Sequence, residues 1–224
     1  MKGCIFDIDG TMFLNREYHM LAWKQCLRGP YERPFTEDEF AEHMFGPTNE
    51  NIIRWLFDGR LSPEESLALS QKKENAYRDA CRDGGSAHLT DGLPIFLDRL
   101  KALNCSLGIA TGAPIENLRF YWQLFSLGKW FDFSKAVYDD GRLPGKPDPA
   151  IYCEAARRIG RAGGDCCVFE DAVPGLQSAL GAGIGTIVMI DSTLEKDTLS
   201  SMPGVSYVIH DYSDIGGLIK LLEM

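Results

Sequence analysis

No apolar run in this chain of 224 residues approaches the roughly 20 needed to cross a membrane. The first apolar stretch breaks at Asp7, too early for a secretory leader. The expectation is a cytoplasmic protein with no membrane partner. Basic stripes are missing too. Lys and Arg adjoin only as Lys72-Lys73 and Arg157-Arg158, and the formal net charge is -9. That balance argues against nucleic acid, whose backbone requires clustered cations. The seven Cys include no Cys-x-x-Cys pair and no zinc spacing, and their odd number fits a reducing compartment. Cys4, Cys105, Cys166 and Cys167 sit in apolar runs, which predicts buried strands with the thiols acting as small hydrophobes. Repeats and low-complexity tracts are also absent. The remaining composition, 45% hydrophobic and 25% charged, is that of a globular protein with one large core, or a core and a modest second domain.

From about residue 86 onward the chain alternates short apolar strands with amphipathic stretches. Strands are predicted over 3–7, 107–110, 135–138, 166–170, 186–190 and 205–209, with helices over 92–103, 115–127, 150–159 and 176–182. This pattern predicts an α/β, Rossmann-like parallel sheet with helices on both faces. Between about 17 and 81 no strand pattern occurs. Tyr18, Leu21, Ala22 and Cys26 recur on one helical face, and a second helical run covers 51–57. Ser62-Pro63-Glu64-Glu65 carries cap, proline and acid in the order of a helix start, and that helix should stop near Asp83-Gly84-Gly85. The expected organisation is a core of 1–14 and 86–224, interrupted by an all-helical cap of 15–85 that is placed to act as a lid.

Four segments of the core carry reactive groups at strand ends or helix starts: Asp7-Ile8-Asp9-Gly10-Thr11, Ala110-Thr111-Gly112-Ala113, Gly145-Lys146-Pro147-Asp148-Pro149, and Val168-Phe169-Glu170-Asp171. In open parallel sheets, ligands bind at the carboxyl ends of strands, where all four would converge. Two carboxylates on one side of a strand end repel unless a cation or a shared proton accounts for them. Phosphoryl transfer has a use for each type. Mg2+ on carboxylates and Lys neutralise a phosphate dianion, while a hydroxyl and helix-start N–H groups hold its oxygens. One Asp attacks phosphorus and a second carboxylate moves the proton. Solvated turns and helix caps are the competing readings of these residues.

In this order the four motifs resemble the haloacid dehalogenase superfamily, and within it the β-phosphoglucomutase-like branch with a helical cap after the first strand. The similarity extends over essentially the whole chain, including Glu17-Tyr18-His19 and Ala22-Trp23-Lys24. It implies Asp7 as nucleophile and metal ligand, and Asp9 as general acid/base with its carbonyl on Mg2+. It further implies Asp171 as a direct metal ligand, with Glu170 beside it on the metal directly or through water, and Thr111, Gly112 and Lys146 around the phosphoryl group. In the cap it implies substrate-side roles for His19, for the loop holding Gly46, Thr48 and Asn49, and for Lys73. Packing within the cap is the competing reading for His19, and a solvated helix face for Lys73.

Water as acceptor makes a phosphatase; a bound sugar phosphate makes a mutase. The loop Gly46-Pro47-Thr48-Asn49-Glu50-Asn51 lacks the Arg that the resemblance associates with mutases, and Asn15 stands where they usually carry Thr. The expectation is therefore an Mg2+-dependent phosphatase of a small phosphate ester, a sugar phosphate by preference, working as a monomer or weak homodimer. β-Phosphoglucomutase and a non-catalytic phosphate-binding protein are the alternatives.

Overall fold

A computed structural model describes residues 3–83, 85–191 and 196–223. The chain divides into two compact units, Met1–Leu14 with His88–Met224, and Asn15–Ala87. Gly84, named in the predicted helix stop, lies outside the described residues, as do the end residues 1, 2 and 224 and residues 192–195 of the predicted core.

The first unit is built on a six-stranded, all-parallel sheet. In chain order its strands are β1 (Gly3–Phe6), β2 (Ser106–Pro114), β3 (Val137–Asp139), β4 (Cys166–Glu170), β5 (Thr186–Ile190) and β6 (Tyr207–Ile209), arranged spatially as β3-β2-β1-β4-β5-β6. β1 is central, with Phe6 opposite Ile109 on one side and Phe169 on the other. Strands buried on both faces need continuous apolar sequence, and every residue of β1, β4 and β5 is buried. Numbering the helices through the whole chain, the sheet is flanked by α5 (Leu93–Ala102), α6 (Ile115–Leu124), α7 (Ala150–Arg158), α8 (Val173–Gly181), α9 (Lys196–Ser200) and α10 (Ile215–Glu223).

Strand alternation gives each sheet face its own core. Phe6 and Phe169 stack at 4.5 Å and meet Phe96 and Tyr212, an aromatic cluster of the kind that stabilises beyond its buried area. Ile5 and Val168 instead join Tyr152 and Ala155 of α7 and Ile159 just after it. α7 lies so close to β1 and β2 that a Cβ on Gly3 or Gly108 would press into Ile159.

Just before α7, whose N-cap position is Pro149, the Asp148 carboxylate accepts the Ala150 N–H at 2.9 Å. Farther along the same helix, Glu154 accepts from Arg157 (two bonds of 2.7 Å) and from Arg158 (2.8 Å). The Arg157 bonds, then those of Arg158, lower its carboxyl to about 2. A depressed folded pKa stabilises above the unfolded value and loses that contribution as pH falls through the folded one. Glu154→Gln is therefore expected to cost less than about 1 kcal/mol at neutral pH, because the pair faces solvent. The difference from the parent in denaturant unfolding should vanish between pH 4.5 and about 2. A constant difference across that range would reject the pairing.

The second unit is helical: α1 (Arg16–Cys26), the short α2 (Glu37–Glu39), α3 (Asn49–Leu56) and the long α4 (Pro63–Asp83). The predicted start of α4 forms as a reciprocal cap, the Ser62 N–H donating to Glu65 (2.8 Å) and the Glu65 N–H to the Ser62 hydroxyl (3.2 Å). α1 and α3 pack on α4 through Trp23, Cys26, Ile52 and Ile53 against a stripe that includes Leu69, Tyr77 and Cys81.

Several expectations shift. The buried face of α1 is Ala22, Trp23 and Cys26, whereas Leu21 is exposed. β2 does not stop at Ala110; it continues to Pro114 with a register shift against β3. Cys105 precedes β2 and is only partly buried. Lys73 is 3% exposed, which overturns the solvated-face reading.

Candidate active site

β1 ends at Phe6, and the chain then folds into a tight turn. The Ile8 carbonyl accepts N–H groups of Thr11, Met12 and Phe13, and the Gly10 N–H reaches the Phe13 carbonyl. Gly10 has φ +76°, and a Cβ there would overlap the Asp171 carboxylate. Glycine thus serves both the turn and the close approach of an acid from the next strand.

Asp7 is buried, and its N–H donates to Phe169 of β4. Its Oδ1 accepts from Lys146 Nζ at 2.7 Å. The same ammonium donates to Glu170 Oε1, which also accepts the Tyr152 hydroxyl at 2.9 Å. Glu170 Oε2 takes the N–H groups of Asp171 (2.9 Å) and Ala172 (3.0 Å). Lys146 is further held over the Tyr152 ring. Sequence positions 7, 146, 152, 170 and 171 thus meet at the carboxyl ends of β1 and β4.

Electrostatics sort these groups. Burial pushes Asp7 well above the usual carboxylate range; Lys146 opposes this, while Glu170, Asp171 and Asp9 add to it. Burial would raise Glu170 too, but Lys146, the Ala172 N–H and the Tyr152 hydroxyl outweigh it and hold Glu170 below its ordinary value. Burial alone would lower Lys146, yet Asp7 and Glu170 together keep its ammonium charged well above the ordinary range. Glu170 thus gathers four donors, whereas Asp7 draws on the lysine it shares with Glu170.

Asp9 lies on the same turn and accepts the Tyr121 hydroxyl at 2.5 Å. Tyr121 comes from α6, fully buried against Phe13 and Phe125. Thr111 is buried, its hydroxyl accepting the Ala113 N–H at 3.1 Å, and Gly112 beside it is exposed. Among the described residues no three acidic, His or Cys side chains stand in a metal-binding arrangement. The donor set nonetheless suits a hard cation in its chemistry: carboxylate oxygens of Asp7 and Asp171, with the Asp171 carboxylate seated against Gly10 where a side chain would displace it.

The candidate residues of the helical unit form a cluster of their own. His19 stacks on Tyr77 at 4.1 Å, and its Nδ1 lies 2.8 Å from Lys73 Nζ. The other ring nitrogen, Nε2, lies 3.3 Å from the Asn15 side-chain nitrogen. Lys73 also donates to Glu74 (2.7 Å), which in turn accepts from Asn49 (2.7 Å). Thr48 caps α3, and Gly46 takes φ +101°. Asn49 therefore anchors its loop to α4.

Sequence reasoning missed Tyr121, Tyr152, Glu74 and Gly175. A Cβ on Gly175, in the first turn of α8, would overlap the Glu170 carboxylate. Only Gly175 left a trace, as the glycine after a helix-start proline. Gly175→Ala is expected to destabilise the fold by about 1–3 kcal/mol in urea unfolding, as overpacking does. A change within about 0.5 kcal/mol would mean that Glu170 can move aside freely.

A family model described as haloacid dehalogenase-like hydrolase matches residues 1–183. β-Phosphoglucomutase of Bacillus subtilis is 29% identical over 190 residues, covering 82% of this chain and 81% of that one. A phosphorylated carbohydrates phosphatase of Thermotoga maritima is 26% identical over 192 residues, covering 84% of each. Among solved structures, a HAD hydrolase of family IA, variant 3, from Entamoeba histolytica superposes with a TM-score of 0.91 at 30% identity, covering 100% of both chains.

Proposed function

Because this chain belongs to the haloacid dehalogenase-like hydrolases, we propose that it is an Mg2+-dependent phosphatase that acts on a small phosphorylated metabolite, a sugar phosphate by preference, through an aspartyl-phosphate. The observation that carries this reading is the Lys146 ammonium held between buried Asp7 and Glu170, with Asp171 alongside.

Asp7 is the nucleophile: its carboxylate attacks phosphorus in line and forms the acyl phosphate. Lys146, fixed by Glu170 and Tyr152, meets the charge of the phosphoryl oxygens. Thr111 and the N–H groups near Gly112 hold those oxygens. Asp9 protonates the leaving oxygen, then takes the proton of the attacking water. Asp7 and Asp171, with the Asp9 carbonyl, would hold Mg2+, and Glu170 serves as the anchor of Lys146. Mg2+, when bound, supplies positive charge that offsets the phosphate dianion and favours ionised Asp7.

Water is preferred as acceptor because the cap loop offers little positive charge to a second phosphate. Residues 46–51 hold no Lys or Arg, and the nearest cation, Arg54, is paired with Glu50 at 2.9 Å. The expected setting is a soluble, cytoplasmic monomer or weak homodimer. No helix among the described residues is long and apolar enough to cross a membrane.

The test is a panel of sugar phosphates incubated with Mg2+ and protein, with free phosphate and isomer interconversion followed together. Phosphate release above that of an Asp7→Asn control supports the phosphatase. Interconversion of β-glucose 1-phosphate and glucose 6-phosphate without net release would make it a mutase, and no turnover at all would favour the non-catalytic alternative.

Tyr121 provides a sharper check on Asp9. A charge-assisted hydrogen bond is worth about 1.5–3 kcal/mol, so Tyr121→Phe is expected to lower kcat roughly 10- to 100-fold with KM little changed. Asp9→Asn should act in the same direction and further, leaving an acyl phosphate that forms from activated donors but turns over slowly. An unchanged kcat in Tyr121→Phe would remove Tyr121 from the positioning of Asp9.

A further inference from the structure

At the opposite, amino ends of the strands, two thiols face each other. Cys4 of β1 is fully buried, Cys105 stands just before β2 and is partly buried, and their sulfurs are 3.5 Å apart. A cavity of about 220 Å³ reaches Cys105 and is lined also by Lys101, Lys135, Trp130 and the single carboxylate Asp132. The cationic side of the site is completed by Arg161, which donates to Ser106 at 3.2 Å, one residue from Cys105.

We infer that Cys4 and Cys105 form a peroxide-sensitive dithiol, with Cys105 the attacking thiol and Cys4 the resolving one. The roles follow from access and charge. Cys105 meets the cavity, whereas Cys4 is enclosed by the sheet. The contact with Cys4 lowers Cys105, burial opposes this, and Arg161 lowers it further; the same contact, then burial, raises Cys4 well above a free thiol. Such an electropositive, accessible thiol is the type that oxidises selectively.

The chemistry balances with hydrogen peroxide as oxidant. The Cys105 thiolate attacks one peroxide oxygen, the O–O bond breaks, and hydroxide leaves, giving a sulfenic acid. Cys4 sulfur then attacks the Cys105 sulfur, and the S–O bond breaks. The hydroxyl leaves as water with the Cys4 proton, and the disulfide remains. The sulfurs must close from 3.5 Å to about 2.05 Å. Cys105 lies outside the strand ladder, after Asn104 at φ +54°, with its N–H on the Leu100 carbonyl at 3.0 Å, so the approach of the sulfurs falls to side-chain rotation.

The test treats the reduced native protein with a small excess of hydrogen peroxide, quenches it with an alkylating agent, and maps the peptides without reduction. Expected are two thiols, Cys4 and Cys105, that no longer take the alkylating agent, a linked peptide joining them, and full reversal by a thiol reductant. Cys105 should react at least about 10-fold faster than the exposed Cys153. In Cys4→Ser the reaction should stop at a sulfenic acid on Cys105 that dimedone traps, and Cys105→Ser should lose both products. The linked peptide in the parent protein decides the matter even if Cys4→Ser folds poorly. Oxidation of Cys105 no faster than Cys153, or links that bypass Cys4, would overturn the inference.

Discussion

Asp7→Asn is expected to abolish turnover, with kcat reduced on the order of 10⁴- to 10⁶-fold, as loss of a nucleophile does elsewhere, while the fold stays at least as stable as the parent. The two halves have one cause. Asp7 is buried in a position that penalises its charge, so the neutral amide relieves repulsion from Glu170, Asp171 and Asp9. Lys146 keeps its second partner, Glu170. Single-turnover assays with an activated phosphate donor should detect no acyl phosphate, and thermal melting should give a Tm equal to or above that of the parent. An active Asp7→Asn protein would sink the nucleophile assignment. An inactive but strongly destabilised one would mean that the loss of activity reflects misfolding.

Lys146→Ala is expected to do the reverse to stability and the same to activity. It leaves Asp7 and Glu170 buried side by side without their shared cation, and breaking a buried pair from one side costs about 3–5 kcal/mol. Neutralising the stranded acid should restore part of this. In urea unfolding, the double variant Lys146→Met with Glu170→Gln should recover more than half of the loss, yet remain inactive. Additive losses in that double variant would show that Lys146 stabilises through packing on Tyr152 rather than through charge. The comparison separates the hold of this ammonium on the folded site from the contact with phosphate proposed for it.

The sheet and the four motifs were legible because each is local. An apolar run into Asp7, a cap-and-proline start at Asp148-Pro149, and a strand into Glu170-Asp171 show themselves within a few residues. The partners that complete them are not local. Tyr152 bonds to a residue 18 positions away and Tyr121 to one 112 away. Helical periodicity marks both as buried without naming what their hydroxyls meet. Lys73 misled for a related reason: beside Lys72 in a charged helix it has the pattern of a wet surface, while the Trp23 and Tyr77 rings and Glu74 bury it. Cys105 misled in the other direction, since an apolar run continues past the point where the strand itself begins.

The strand order also bears on how the chain is made. β1 is finished by residue 6, yet its two neighbours begin at residues 106 and 166, and the whole helical unit is threaded between β1 and the first of them. At the pace of about 5–20 residues per second at which ribosomes work, β1 emerges roughly ten seconds or more before β4 can pair with it. During translation the helical insert is therefore complete while Asp7 still hangs on an unpaired apolar segment, and the site closes only after three quarters of the protein has been synthesised. A truncated nascent chain ending before Glu170 should be held by chaperones that read such segments, and released once β4 has emerged.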